Sequence, residues 1–325
     1  MIPPDLPAEL KAALETKLQG LSRNDIATRA AVISKTYRDG GGSGAITGEA
    51  DALAYALARM PATHAAVVAS LNALCEITPH FAPQTLLDVG AGPGTASWAA
   101  ANCFPSLQGF ALLDANRSLR ALALDLARGS ARLGGLSYRQ GEAVGALAES
   151  QAADLVIASY MIGELDDAGR AELADLLWAK TRDTLVIVEP GTPAGYARII
   201  ALRAQLIAAG GHVAAPCPHD LPCPLTAPDW CHFTQRLPRS RAHKQVKGAE
   251  LPFEDEKFCH VALTRTAAPM HPSRVLTQPV VGKADVAAKL CTLDGVLVAK
   301  VPHRDKTAYA RARRWRWGDA VLNES

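Results

Sequence analysis

The segment Thr85-Leu86-Leu87-Asp88-Val89-Gly90-Ala91-Gly92-Pro93-Gly94-Thr95 constrains this chain more than any other. A short apolar run meets three glycines at alternate positions, and helix-like sequence (ASWAA) follows. Glycine there lets the backbone turn sharply out of a strand and keeps any Cβ away from a ligand. Strand, glycine turn and helix in that order open a βαβ unit, which requires a parallel sheet. The next hundred residues agree. FALLDA, LSYRQG, ADLVIAS and TLVIVEP are further β-like runs, followed by helix-like stretches such as RSLRALALDLARG and AGRAELADLLWAK. This alternation predicts an α/β fold with helices on both faces of the sheet.

A glycine-rich turn alone is shared with dinucleotide enzymes. Acids at the strand ends narrow the reading. Asp88 precedes the first glycine, where methyltransferases place a carboxylate that organises the loop. Asp114 ends the second strand, where a carboxylate can accept both ribose hydroxyl hydrogens. Glu142 follows the third strand, near the place of an adenine amino group, and Ser159 closes the fourth. The D-x-G-x-G-x-G form predicts a class I, Rossmann-like S-adenosylmethionine-dependent methyltransferase fold. Asp88, Gly90, Gly92, Gly94, Asp114, Glu142 and Ser159 would hold the cofactor. The catalytic position is less marked. After the fourth strand the chain reads Ser159-Tyr160-Met161-Ile162-Gly163-Glu164-Leu165, without the Asn- or Asp-Pro-Pro-aromatic motif of base-nitrogen methyltransferases. Tyr160 could stack on a base and Glu164 could polarise it. Equally, Tyr160 could only cover the cofactor.

With 325 residues the chain can bury one large core plus attachments. Residues 1–80 read as a helical extension, with a glycine-rich joint at Gly40, Gly41, Gly42 and Gly44. Pro61 suits the first turn of a new helix. Residues 81–215 form the cofactor domain. HVAAP and KFCHVALTR suit a closing antiparallel hairpin, with residues 216–257 inserted between its strands. The Cys-rich insertion with its closing strand spans 216–265. Residues 266–325 are a small basic β unit, with an Asp294-Gly295 turn and a basic helix ending near WGD.

No run of the sequence has the length of a membrane span, and Asp5, Glu9 and Glu15 argue against a transit peptide. The expected compartment is the cytoplasm, where thiols stay reduced. Of seven cysteines, Cys75 and Cys103 fall in apolar helical segments and the other five lie beyond residue 216. Cys217, Cys223 and Cys231 sit in a Pro-rich stretch with little apolar periodicity, a pattern that points to a metal. Their spacing lacks the close pairs common in zinc sites, and Cys followed by Pro is frequent at iron–sulfur ligands. Both chemistries stay open, and His219, His232, His243 and His260 keep a mixed zinc site open too. The fourth ligand is Cys259 or Cys291. Cys259 suits a sheet interior, whereas Cys291 precedes a tight turn and is preferred.

Residues 1–216 carry 17 basic and 21 acidic side chains, and residues 217–325 carry 17 and 11. The positive charge concentrates at Arg236, Arg239, Arg241, Lys244 and Lys247, then at Lys300, Arg304, Lys306, Arg311, Arg313, Arg314 and Arg316. A solvated surface is one reading; a face turned towards phosphates is the other. Trp315 and Trp317 add stacking capacity and tilt the balance towards RNA.

The whole pattern resembles the methyltransferase-like proteins of small-ribosomal-subunit assembly, the Rsm-twenty-two and methyltransferase-like-seventeen type. YALARMPATHAAV, LLDVGAGPGTASWAA, ASYMIGEL and VIVEPGTPAGY carry the resemblance, with CPHDLPCPL, WCHF, KLCTLDG and ARRWRWGD. It implies a four-iron–four-sulfur cluster on Cys217, Cys223, Cys231 and Cys291. It also implies association with the small ribosomal subunit and its rRNA. Two functions follow: methylation of small-subunit rRNA, or ribosome assembly in which cofactor and cluster serve structurally without turnover. The free protein is expected to be monomeric and away from membranes.

Overall fold

The computed structural model describes residues 1–322, so the last three residues of the expected 266–325 unit lie outside the described residues. Three helices come first: α1 (Ala8–Lys17), α2 (Arg23–Arg38) and α3 (Glu49–Ile77). The alternating region then gives β1 (Thr85–Val89), α4 (Thr95–Cys103), β2 (Gly109–Asp114), α5 (Arg117–Ala127) and β3 (Ser137–Gln140). It continues with α6 (Ala143–Ala148), β4 (Ala153–Ser159), α7 (Asp167–Ala179), β5 (Thr181–Pro190), α8 (Pro193–Ala208) and β6 (His212–Ala215). Side chains at the chain breaks start the helices: Asn116 caps α5, Asp166 caps α7, and Thr192 caps α8 with Pro193 in its first turn.

The insertion contains β7 (Phe233–Pro238) and α9 (Arg241–Lys247), and β8 (Phe253–Thr264) closes it. The main sheet runs β3-β2-β1-β4-β5-β8-β6, with β7 also paired to β8. β1 to β5 are mutually parallel, while β8 is antiparallel to β5, β6 and β7. The β6–β8 pairing is the closing hairpin expected from HVAAP and KFCHVALTR. The order in which successive strands are added reverses between β1 and β4, and α/β folds open their ligand crevice at such a switch point. The observed architecture is a Rossmann-like methyltransferase fold.

A second, five-stranded sheet comprises β9 (Ser273–Val275), β10 (Val280–Val281), β11 (Asp285–Thr292), β12 (Gly295–Pro302) and β13 (Ala320–Val321). Helix α10 (Lys306–Ala312) packs on it. The β11–β12 loop is Leu293-Asp294, one residue before the expected turn; Gly295 pairs with Thr292 and has φ +126°. The basic helix stops at Ala312, and WRWGD continues as a turn and a short extended segment.

One expectation fails. Pro61 lies inside the 29-residue helix α3 and does not begin a new one. An interior proline costs roughly 3 kcal/mol. Here α3 is enclosed by α2, α4, α5 and β8. Met60, Ala62, Ala65, Ala66 and Val67 around the proline are all fully buried. That burial offsets the missing hydrogen bond. Among the described residues, no helix is long and apolar enough to cross a membrane.

Candidate functional site

A cavity of about 170 Å³ opens at the C-terminal ends of β1, β2 and β4. Gly90, Gly92, Asp114, Glu142 and Ser159 line it. Gly90, Gly92 and Gly94 have φ of +68°, +53° and +81°, a region that L side chains avoid. At Gly90 the close approach is decisive, because a Cβ would lie 2.6 Å from Met161 Cβ and Cγ. The Gly92 N–H donates to Asp114 Oδ2 (2.9 Å) and the Asn116 N–H to Oδ1 (2.7 Å). Burial pushes the Asp114 carboxyl up, and these two donors oppose the rise.

The other two expected cofactor residues stand behind the wall. Gly94 is the left-handed cap of α4. Asp88 is fully buried and fixes α4 from below, its Oδ2 accepting from Ser97 N (3.0 Å) and Ser97 Oγ (2.7 Å). Asp88 Oδ1 has no partner, and burial pushes this carboxyl up to about 7.

Tyr160 and Glu164 both line the cavity, and both are tied into the fold. The Tyr160 hydroxyl donates to Glu256 Oε1 (2.9 Å), which also pairs with Arg59 (3.4 Å). Tyr160 itself has φ +57°, a strained backbone for a tyrosine. The Ser43 N–H donates to Glu164 Oε2 (3.5 Å), and burial raises this carboxyl also. Tyr37, Ser43 and Tyr55 complete the lining from the N-terminal helices. No motif marks them; YALARM reads only as helix. Asn116 holds this roof down, donating to the Ser43 and Ile46 carbonyls (both 3.0 Å).

Cys217, Cys223, Cys231, Cys259 and Cys291 converge on a second, narrow cavity of about 30 Å³. Arg203, Arg274 and His260 share its wall. Tyr196 Oη donates to Cys223 Sγ (3.1 Å), and Cys259 Sγ donates to the Cys231 carbonyl (3.1 Å). Burial pushes Cys259 and Cys291 up to about 12, and the Cys231 thiol well up. Neighbouring thiols add to the rise at Cys231 and Cys291, whereas Glu189 does so at Cys259. Among the described residues, no three His, Cys, Asp or Glu groups stand close enough to hold one metal ion. The gathering of thiols by itself therefore names no metal. Of the four histidines, only His260 lines this cavity; burial pushes it down to about 3.

The donor chemistry nevertheless fits an anionic group. Arg203 is 3% exposed, its Nε has no partner, and it forms no ion pair among the described residues. A guanidinium stays charged, and burying it without an anion costs several kcal/mol. Thiolates of the cysteines that line this cavity, deprotonated by a bound metal group, would supply such an anion.

The two basic stretches differ. Arg236 pairs with Asp255, while Arg239 and Lys247 pair with Glu254, so the first is largely neutralised within the fold. In the second, Lys300, Arg304, Lys306, Arg313, Arg314 and Arg316 are exposed, and none forms an ion pair among the described residues. This segment is fastened to the cysteine loop. Arg274 donates from Nε to the Pro216 carbonyl (3.1 Å) and from Nη1 to the Gly318 carbonyl (2.8 Å). Trp317 Nε1 donates to the His232 carbonyl (2.8 Å).

Residues 49–322 match the family described as Mitochondrial small ribosomal subunit Rsm22. The human mitochondrial ribosome assembly protein METTL17 is 33% identical over 83% of this chain and 62% of its own length. The Rsm22-cox11 tandem protein 2 of Schizosaccharomyces pombe is 24% identical over 82% of this chain and 42% of its own. The chain thus spans about three fifths or less of these relatives. Among solved structures, magnesium protoporphyrin IX methyltransferase from Synechocystis with bound SAM is similar at 12% identity and a TM-score of 0.40. That match covers 73% of this chain and 97% of the other.

The orphaned oxygen of Asp88 has a measurable consequence. Its folded-state pKa lies above the unfolded value, so its contribution to stability is present at low pH and lost as pH rises towards 7. Asp88→Asn keeps the acceptor for Ser97 and removes the buried charge. Between pH 5 and 8 the unfolding free energy of the variant, relative to the original, should rise by roughly 2–3 kcal/mol. Urea titrations across that range measure it, and a pH-independent difference contradicts the account.

Proposed function

The chain belongs to the mitochondrial small ribosomal subunit Rsm22 family, and from that premise we propose a small-subunit assembly factor that binds S-adenosylmethionine, carries a four-iron–four-sulfur cluster and contacts rRNA. One observation carries the reading. The cationic tail is hydrogen-bonded to the cysteine loop through Arg274 and Trp317, so whatever fixes that loop also fixes the tail. Cys217, Cys223, Cys231 and Cys291 would hold the cluster, and Cys259 stays a strand residue bonded to the Cys231 carbonyl. The cytoplasm remains the proposed compartment.

In the first cavity, Asp114 would accept from the ribose, Glu142 would face the adenine, and the Gly90–Gly94 turn would bring backbone against the amino-acid end. Bound there, S-adenosylmethionine supplies an activated methyl group. The engaged hydroxyl of Tyr160 and the engaged carboxylate of Glu164 favour a structural use of the cofactor. Methylation of rRNA is the second reading, favoured by the strained Tyr160 backbone beside the cofactor cavity, since such strain clusters at active sites.

Asp114→Ala removes a charge-assisted pair of hydrogen bonds and should weaken S-adenosylmethionine binding by roughly 1.5–3 kcal/mol, about tenfold to a hundredfold. Unchanged calorimetric affinity in both Asp114→Ala and Gly92→Val contradicts the site. For the tail, binding to small subunits should fall steeply with salt, with a log–log slope approaching about −0.7 per single-stranded phosphate contact. Replacing Arg311, Arg313, Arg314 and Arg316 with Gln should flatten that slope and leave cofactor binding intact. Normal co-sedimentation of this variant across a salt series contradicts the rRNA reading.

A further inference from the structure

Two arginines bracket Cys217 on the inner wall of the cysteine cavity. Arg203, from α8, donates through Nη2 to the His219 carbonyl (2.5 Å), two residues after the cysteine. Arg274, from β9, donates through Nε to the Pro216 carbonyl, one residue before it. Both line the cavity with the thiols, and both are nearly inaccessible, at 3% and 2% exposure. Their surroundings explain neither charge in full. Arg203 has no carboxylate partner among the described residues, and Arg274 has one weak partner, Glu76 at 3.5 Å, contacted by the same Nη1 that donates to the Gly318 carbonyl. Arg203 and Cys217 line the same narrow cavity.

We propose that Arg203 and Arg274 are the built-in counter-charges of the cysteine site, and that they raise the reduction potential of the cluster it holds. The inference rests on the cluster reading above. Four thiolates around an oxidised four-iron–four-sulfur core leave two negative charges, which two guanidinium groups balance. One-electron reduction adds a third negative charge. Fixed cations beside the sulfurs stabilise that reduced state more than the oxidised one, and net charge and hydrogen bonds to sulfur set cluster potentials. Arg203 is the stronger determinant, because it shares its charge with no carboxylate among the described residues, whereas Arg274 faces Glu76.

The test is a redox titration with dithionite, followed by absorbance and electron paramagnetic resonance, on the full chain purified without oxygen. Arg203→Gln removes the charge and keeps a donor for the His219 carbonyl; Arg203→Lys keeps the charge and loses the fork. At the original midpoint potential, Arg203→Gln should show a ratio of reduced to oxidised cluster about tenfold lower. For a one-electron couple that is a fall of about 59 mV. Arg203→Lys should stay close to the original. Loss of the cluster in Arg203→Gln, with loading and potential kept in Arg203→Lys, also supports the role of charge. An unchanged potential in a loaded Arg203→Gln overturns it, and so does loss of the cluster in both variants, which would mark a purely structural side chain. Absence of acid-labile sulfide from the original protein overturns the cluster reading itself and the inference with it.

Discussion

Both sites depend on the pairing of β8. Its Phe258–Thr264 half pairs antiparallel with β5, while its other edge takes β6 at one end and β7 at the other. Side chains on a strand alternate between faces, so one register assigns every role. Phe258 and Ala262 enter the core on the α3 side, and Cys259, Val261 and Leu263 enter the opposite one. Glu256, two residues before Phe258, reaches Tyr160 and Arg59 at the cofactor cavity. A slip of one residue would exchange the faces and detach both sites together.

The second sheet has little core of its own. Its apolar clusters are two small ones, Val275, Ala288 and Leu290, and Val286, Tyr309 and Ala312, with Trp315 packed against both. Units with so small a core need staples. Arg274 is one, joining the Pro216 and Gly318 carbonyls and Glu76 of α3. Cys291, on β11, reaches the cavity that the insertion lines with Cys217, Cys223 and Cys231. A group ligated by all four would be a second staple, tying the basic segment to the cofactor fold.

The legible parts of the sequence were those written in local chemistry. The strand–helix alternation predicted the sheet, and of the seven residues expected to hold a cofactor, marked by glycines and by acids at strand ends, five line one cavity. What was not legible came from distant parts of the chain. Tyr37 and Tyr55 look like ordinary helical residues and become a roof only when α2 and α3 fold over the switch point. Arg203 sits mid-helix, where periodicity says nothing about a cavity completed by Cys217, 14 residues further on, and by Arg274 of β9, 71 residues further on. The first basic stretch misled for the same reason. Its partners, Glu254 and Asp255, face it only because β7 pairs with β8. Pro61 misled because burial of α3 outweighs a local rule.

The central claim is that cysteines from the insertion and from the second sheet hold one iron–sulfur cluster. Iron and acid-labile sulfide, measured on anaerobically purified Cys259→Ser and Cys291→Ser proteins, test it most directly. The account predicts iron and sulfide near four each per chain in Cys259→Ser, as in the original protein, and their loss in Cys291→Ser. Stoichiometric zinc without sulfide, or full sulfide retention in Cys291→Ser, would contradict it.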